Sequence, residues 1–145
     1  MEPFLIQIKQ FSDNRGAFYE SFKESVFKKQ YNIDIDFVQD NHSISHKNVI
    51  RGLHYQWDKP MAKLVRVSYG NIMDVIVDIR EKSSNFGKIY SYLLSAEECN
   101  QLFVPAGFAH GFVCLSDIAH VQYKCSSEYN KDGESGINPL DKNLN

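Results

Sequence analysis

No stretch of this sequence approaches the roughly 20 consecutive apolar residues that a membrane-spanning helix requires. Its first residues, Met1-Glu2-Pro3-Phe4-Leu5, show neither a basic region leading into an apolar run nor a cleavage site. Both absences predict a soluble cytoplasmic protein with no membrane partner. Cysteine is sparse. Cys99, Cys114 and Cys125 form no close pair and no metal-ligand spacing, and an odd number predicts reduced thiols rather than a disulfide framework. An excess of one charge is missing too. Sixteen Lys and Arg against eighteen Asp and Glu leave a formal charge of −2, which excludes the general electrostatic footprint of a nucleic-acid binder. It leaves room for a local cluster of basic side chains on a phosphorylated small molecule. Repeats and low-complexity tracts are also absent, so a single domain over 1–145 is expected.

What is present is one core's worth of chain. The 145 residues are 43% hydrophobic, and a domain of this size needs no metal or disulfide staple. The dominant period is two. Phe4, Ile6 and Ile8 alternate with Leu5, Gln7 and Lys9, the pattern of a strand with one face on a core. A turn cluster at 12–16 predicts a second strand over 17–22, and residues 23–31 predict a short helix with Phe27 and Tyr31 facing inward. Strand-like segments follow at 49–56, 63–68, 71–79, 89–94, 101–104, 111–115 and 120–126, with a hairpin signal at Tyr69-Gly70-Asn71. Residues 40–48 read as a polar loop carrying His42 and His46. This spacing predicts a mainly β, antiparallel sandwich or barrel of the cupin-like jelly-roll type, with one or two short helices and a ligand cavity at its mouth.

Several polar residues stand where strands normally carry apolar ones. His54 shares a face with Gly52 and Gln56, and His110 shares parity with Phe108 and Phe112. Each reads either as a hydrogen-bonded structural histidine or as a general base. Asp74 and Asp78 fall on one face, opposite Met73, Val75, Val77 and Ile79, and exposure of one of them to solvent is the default for a carboxylate. Lys63 is in step with Val65 and Val67, and Tyr123 with Val121 and Cys125, so both are expected to point inward. A His base, a Lys cation and a Tyr donor are what abstraction of a proton next to a carbonyl requires. A metal centre would need several converging His, Asp or Glu ligands. His54 is followed by Tyr55 and Gln56, and no His or Glu follows before Gly70, so no metal site is expected.

Seven blocks of the sequence carry a resemblance. They are Phe11-Ser12-Asp13-Asn14-Arg15-Gly16, Phe37-Val38-Gln39-Asp40-Asn41, Arg51-Gly52-Leu53-His54-Tyr55-Gln56, Lys63-Leu64-Val65-Arg66, residues 74–80, residues 105–112 and Tyr123-Lys124-Cys125. In this order and over nearly the whole chain, they resemble the dTDP-4-dehydrorhamnose 3,5-epimerases, metal-independent cupins that act on nucleotide-linked 4-keto sugars. The resemblance implies His54 as the base, Lys63 as the cation at the enolate oxygen, and Tyr123 as the acid on the opposite face. It puts His110 and Asp74 in the same pocket. Arg15, Glu20, Gln39, Asn41 and Arg51 match positions that hold the nucleotide and diphosphate, and Tyr129 a position that packs on the base. It implies no cofactor, a nucleotide-diphosphate sugar as substrate, and a homodimer, for which the strand from Phe4 to Ile8 is a candidate contact. In the family an aspartate near the C-terminus orients the base. That segment would lie past Asn145, so the domain is expected to lack it: either the chain is a shortened form, or another group orients His54, or activity is impaired.

Three functions stay open at this point. The chain is a double epimerase inverting C3 and C5, a related single-centre epimerase or isomerase, or a jelly roll that binds a nucleotide-sugar without turning it over.

Overall fold

The computed structural model describes residues 1–144. Twelve strands run in chain order: β1 Phe4–Gln7, β2 Phe11–Asp13, β3 Gly16–Phe18, β4 Gln39–His46, β5 Ile50–Gln56, β6 Lys63–Tyr69, β7 Asn71–Asp78, β8 Ile89–Ser95, β9 Asn100–Val104, β10 Phe108–Cys114, β11 Ile118–Cys125 and β12 Glu134–Gly136. One α-helix, α1, spans Glu24–Tyr31, and two single 3-10 turns cover Lys131–Gly133 and Lys142–Leu144. The strands form two five-stranded antiparallel sheets, ordered β1-β9-β6-β11-β4 and β12-β5-β10-β7-β8, with β2 and β3 as a separate hairpin. This is the expected cupin-like architecture.

The period-two pattern places the core between the sheets. Val65, Val67, Leu102, Val104 and Val121 of the first sheet meet Ile72, Ile76, Leu94, Phe108 and Phe112 of the second. A second cluster lies outside the first sheet, where Phe27 of α1 and Ile33 cover Ile6, Leu64 and Phe103. The helix ends where Asn32 adopts the left-handed conformation and its N–H caps the Phe27 carbonyl. Phe27 and Tyr31 both face this cluster, as their spacing predicts, with ring centroids 5.6 Å apart and planes tilted by 54°.

Three expectations are corrected. Residues 40–48 are not a loop: Gln39–His46 is an eight-residue strand paired along its whole length with β11. Its inward residues, Gln39, Asn41, Ser43 and Ser45, are polar, so a hydrophobicity pattern cannot show it. The strand expected over 17–22 ends at Phe18, because the hairpin has no third strand to extend it. Finally, neither Asp74 nor Asp78 faces solvent; both are fully buried. Each has partners that offset the cost of burial, His110 for Asp74 and Arg80 with Ser83 for Asp78.

Candidate active site

The open end of the sandwich holds two cavity lobes, about 360 and 440 Å³, that share His54, Lys63 and Tyr123 as a common wall. His54 comes from β5 in the second sheet, while Lys63 and Tyr123 come from β6 and β11 in the first. The three side chains therefore approach the cavity from opposing sheets. Gly52 makes the close approach behind His54 possible. Its φ is +99°, and a Cβ there would stand 2.6 Å from both Gly111 Cα and the His110 carbonyl oxygen. The β10–β5 register slips beside it, between His110 and Phe112.

Lys63 lies 6.0 Å from the centroid of the Tyr123 ring. Burial pushes the lysine ammonium below its ordinary range, and the charges of Cys125, Asp74 and Glu134 work against that shift. The Tyr123 phenol is pushed up, first by burial; a hydrogen bond from Asn41 and the charge of Arg51 pull it back. A tyrosine held protonated in a cavity is a competent proton donor. Behind Lys63, Asp74 Oδ2 is 2.8 Å from His110 Nε2, both side chains buried. Burial raises the Asp74 carboxyl, while His110 and then Lys63 favour its charged form. Asp74 Oδ1 has no hydrogen-bond partner.

The first lobe is lined by Gln39, Asn41, Cys125, Tyr129 and Glu134, among others. Gln39 donates to Asn41 Oδ1 at 2.9 Å and accepts from the Tyr129 backbone N–H at 2.8 Å. Gln56 holds the same loop by accepting from the Asn130 N–H. Tyr129, half exposed, is thereby set at the rim. The second lobe includes Ser43, Arg51, His110 and Phe112. Arg51 is anchored by its Nε on Ser45 Oγ at 2.9 Å and one Nη on the Ile44 carbonyl at 3.2 Å. That leaves guanidinium donors available to an anion. Among the described residues no group of three or more His, Cys, Asp or Glu is gathered as a metal site would gather them.

Nine of the eleven residues singled out in the sequence thus belong to one neighbourhood, and two do not. Arg15 sits on the turn of the β2–β3 hairpin, 85% exposed and paired with Asp13 at 2.6 Å. Glu20 pairs with Lys23. Neither lines the cavity within this chain. Sequence reasoning missed Glu134, Cys125 and Ser43 as cavity residues. Cys125 had a signal, its parity with Tyr123. Glu134 had none, because a three-residue strand has no period to read.

The family model described as dTDP-4-dehydrorhamnose 3,5-epimerase matches residues 1–145. The Escherichia coli K12 dTDP-4-dehydrorhamnose 3,5-epimerase is 49% identical over 134 residues, covering 92% of this chain and 72% of that protein. Among solved structures, an epimerase of Legionella pneumophila in complex with dTDP-4-keto-L-rhamnose superposes with a TM-score of 0.95 at 44% identity, covering 98% of this chain and 76% of that one. A 3'-monoepimerase of Streptomyces bikiniensis in complex with dTDP-quinovose gives 0.92 at 32% identity, covering 98% and 72%.

Proposed function

This chain belongs to the dTDP-4-dehydrorhamnose 3,5-epimerase family, and from that premise we propose that it inverts C3, C5 or both of a dTDP-linked 4-keto-6-deoxy sugar, with His54 as base, Lys63 at the carbonyl oxygen and Tyr123 as acid. The observation that carries this reading is the common wall of the two lobes, where a base from one sheet faces a cation and an acid from the other. His54 takes the proton from the carbon beside the ketone. The electron pair of that C–H bond moves into the ring and onto the C4 oxygen, giving an enolate. Tyr123 then returns a proton to the same carbon from the opposite face, and the C4 carbonyl re-forms. No electrons are gained or lost.

A ketone α-proton is barely acidic, so the charge developing on the oxygen needs a fixed cation. Lys63 fills that role, and the buried Asp74–His110 pair behind it favours its charged form. Arg51 grips the diphosphate, Gln39 and Asn41 hold the nucleotide, and Tyr129 packs on the base at the rim. Arg15 and Glu20 act from a second copy of the chain, in a homodimer. What supports this is that both stand on or beside an exposed hairpin outside the cavity, where Phe11 and Phe18 are 52% and 67% exposed.

Incubation with dTDP-4-keto-6-deoxyglucose in deuterium oxide tests the reading. Deuterium at C3 and C5 is expected for a double epimerase. Label at C3 alone places the chain with single-centre enzymes such as the Streptomyces bikiniensis relative. Binding with no exchange at either carbon refutes catalysis.

A further inference from the structure

Two amide side chains on β4 tie the rim of the cavity to its reacting end, and one backbone donor fixes the direction in which both point. The Tyr129 N–H can only donate, so the Gln39 atom that meets it at 2.8 Å is Oε1. That commits the other end of Gln39. Its Nε2 can only donate in turn, so the Asn41 atom 2.9 Å away is Oδ1. The Nδ2 of Asn41 is left facing β11. The β4–β11 register decides what it meets there: Asn41 lies directly across from Tyr123, and Gln39 across from Cys125. Nδ2 donates to both neighbours, the Cys125 sulfur at 3.7 Å and the Tyr123 phenol. The rim is held as firmly from the opposing sheet. Gln56 accepts from the Asn130 N–H and donates to the Glu128 carbonyl at 3.3 Å, so the backbone on each side of Tyr129 is fixed.

We propose that Asn41 is the positioning residue of the acid: it gives an amide N–H to the phenolic oxygen of Tyr123, in a direction imposed through Gln39 by the Tyr129 backbone, and so leaves the phenol's own proton for the sugar. A phenol has one hydrogen to donate, and an oxygen acceptor beside it would take that hydrogen. With the Asn41 amide turned over, Oδ1 would face Tyr123 and hold the proton that the sugar carbon has to receive. With Nδ2 there, the phenol must donate elsewhere, and Tyr123 lines both cavity lobes. The same donor stabilises the phenolate formed once the proton has gone. Each amide nitrogen carries a second N–H, so Gln39 and Asn41 both remain able to hold the nucleotide. The relay thus joins the rim, where Tyr129 packs on the base, to the reacting centre.

This role for Asn41 rests on Tyr123 being the acid, and two measurements keep those claims apart. In 15N-labelled protein, nuclear Overhauser contacts from the Asn41 side-chain amide protons to the Tyr123 ring report the relay whether or not the protein turns over. Wild type is expected to show them, and their absence overturns the proposal. Gln39→Glu offers only acceptors, so the Asn41 amide is expected to turn its N–H toward the new carboxylate and lose the contacts. Contacts retained in that variant overturn the relay. Asn41→Leu removes the donor without adding charge. At saturating dTDP-4-keto-6-deoxyglucose in deuterium oxide, kcat for inversion is expected to fall about 10- to 100-fold in both variants, part of what a positioned acid contributes. The share of substrate recovered with deuterium but without inversion should rise, as in Tyr123→Phe, because the base still works and the acid does not. A raised KM with kcat and that share unchanged means that Asn41 only holds the nucleotide, and overturns the proposal. Full activity in Tyr123→Phe, with the contacts present in wild type, refutes the acid assignment and leaves the relay standing.

Discussion

His110 and Asp74 meet across the β10–β7 pair with Nε2 and Oδ2 2.8 Å apart and no exposure of the carboxylate. Asp74 lies behind Lys63, and its charge favours the ammonium. Lys63 loses its proton as pH rises through a value already lowered by burial, so activity should fall on the alkaline side before the ordinary lysine range of 10.5 is reached. Asp74→Asn removes a charge that favours the ammonium. Its alkaline limb in kcat against pH should therefore lie at lower pH than that of wild type. Lys63→Met should remove the oxyanion cation altogether and lower kcat about 10²–10³-fold. Coincident alkaline limbs for wild type and Asp74→Asn would show that the pair does not act through Lys63.

His54→Ala and Tyr123→Phe should each abolish product while leaving dTDP affinity within about twofold, because neither residue is assigned a contact with the nucleotide. The two variants should differ in exchange. Tyr123→Phe retains the base and should still wash deuterium into the substrate at a reduced rate, whereas His54→Ala should not. Mass spectrometry of recovered substrate distinguishes them, and exchange kept by His54→Ala but lost in Tyr123→Phe would reverse the acid and base assignments.

The residues that carry this chemistry were legible to different degrees. Lys63 and Tyr123 were placed inward by parity with Val65 and Val121, and His110 by parity with two phenylalanines. Those are local patterns, and the sheets preserve them. The strand Gln39–His46 was not legible, since a strand lining a polar cavity loses the apolar alternation that marks strands. Burial of Asp74 and Asp78 depended on His110 and Arg80 supplying partners, a tertiary fact in the first case and a turn geometry in the second. Glu134 comes to the cavity only because β12 adds to the edge of β5, pairing Gly136 with His54 82 residues earlier in sequence, a separation that no period records.

Gly111 is a packing requirement beneath the site. A Cβ at this position would stand 2.3 Å from the Arg51 carbonyl oxygen and 3.0 Å from Gly52 Cα, so backbone must move against backbone. Gly111→Ala should cost about 1–3 kcal/mol, the usual range for overpacking, and lower the melting temperature accordingly. The strand displaced carries both Arg51 and His54, so diphosphate affinity and kcat should fall together. A variant with wild-type melting temperature and full activity would show that β5 yields freely here.

A second copy supplying Arg15 makes a prediction that no monomer satisfies. Arg15→Ala should weaken dTDP binding without altering melting temperature, since its partner among the described residues is an exposed Asp13. His54→Ala should be inactive on its own. Mixing the two variants after subunit exchange should create sites with an intact His54 from one chain and an intact Arg15 from the other. Activity at low substrate should then exceed that of either variant alone. Strictly additive activity would confine each site to one chain.

Asp78 controls acid stability, away from the cavity. Its carboxylate accepts from the Arg80 backbone N–H at 2.9 Å, from Arg80 Nε and Nη2, and from Ser83 Oγ at 2.8 Å. Arg80 is the main reason its pKa falls from 3.8 to about 2. The folded-state value is depressed, so the stabilisation is fully present above 3.8 and is lost as pH falls toward 2. Its size is about 2 kcal/mol by linkage. Asp78→Asn should be less stable than wild type by about that amount at pH 6, and the gap should narrow between pH 4 and 2 as wild type takes up the proton. Urea unfolding at pH 6, 4 and 2.5 measures this directly. A gap independent of pH would mean that Asp78 acts through shape and neutral hydrogen bonds, with its charge contributing nothing.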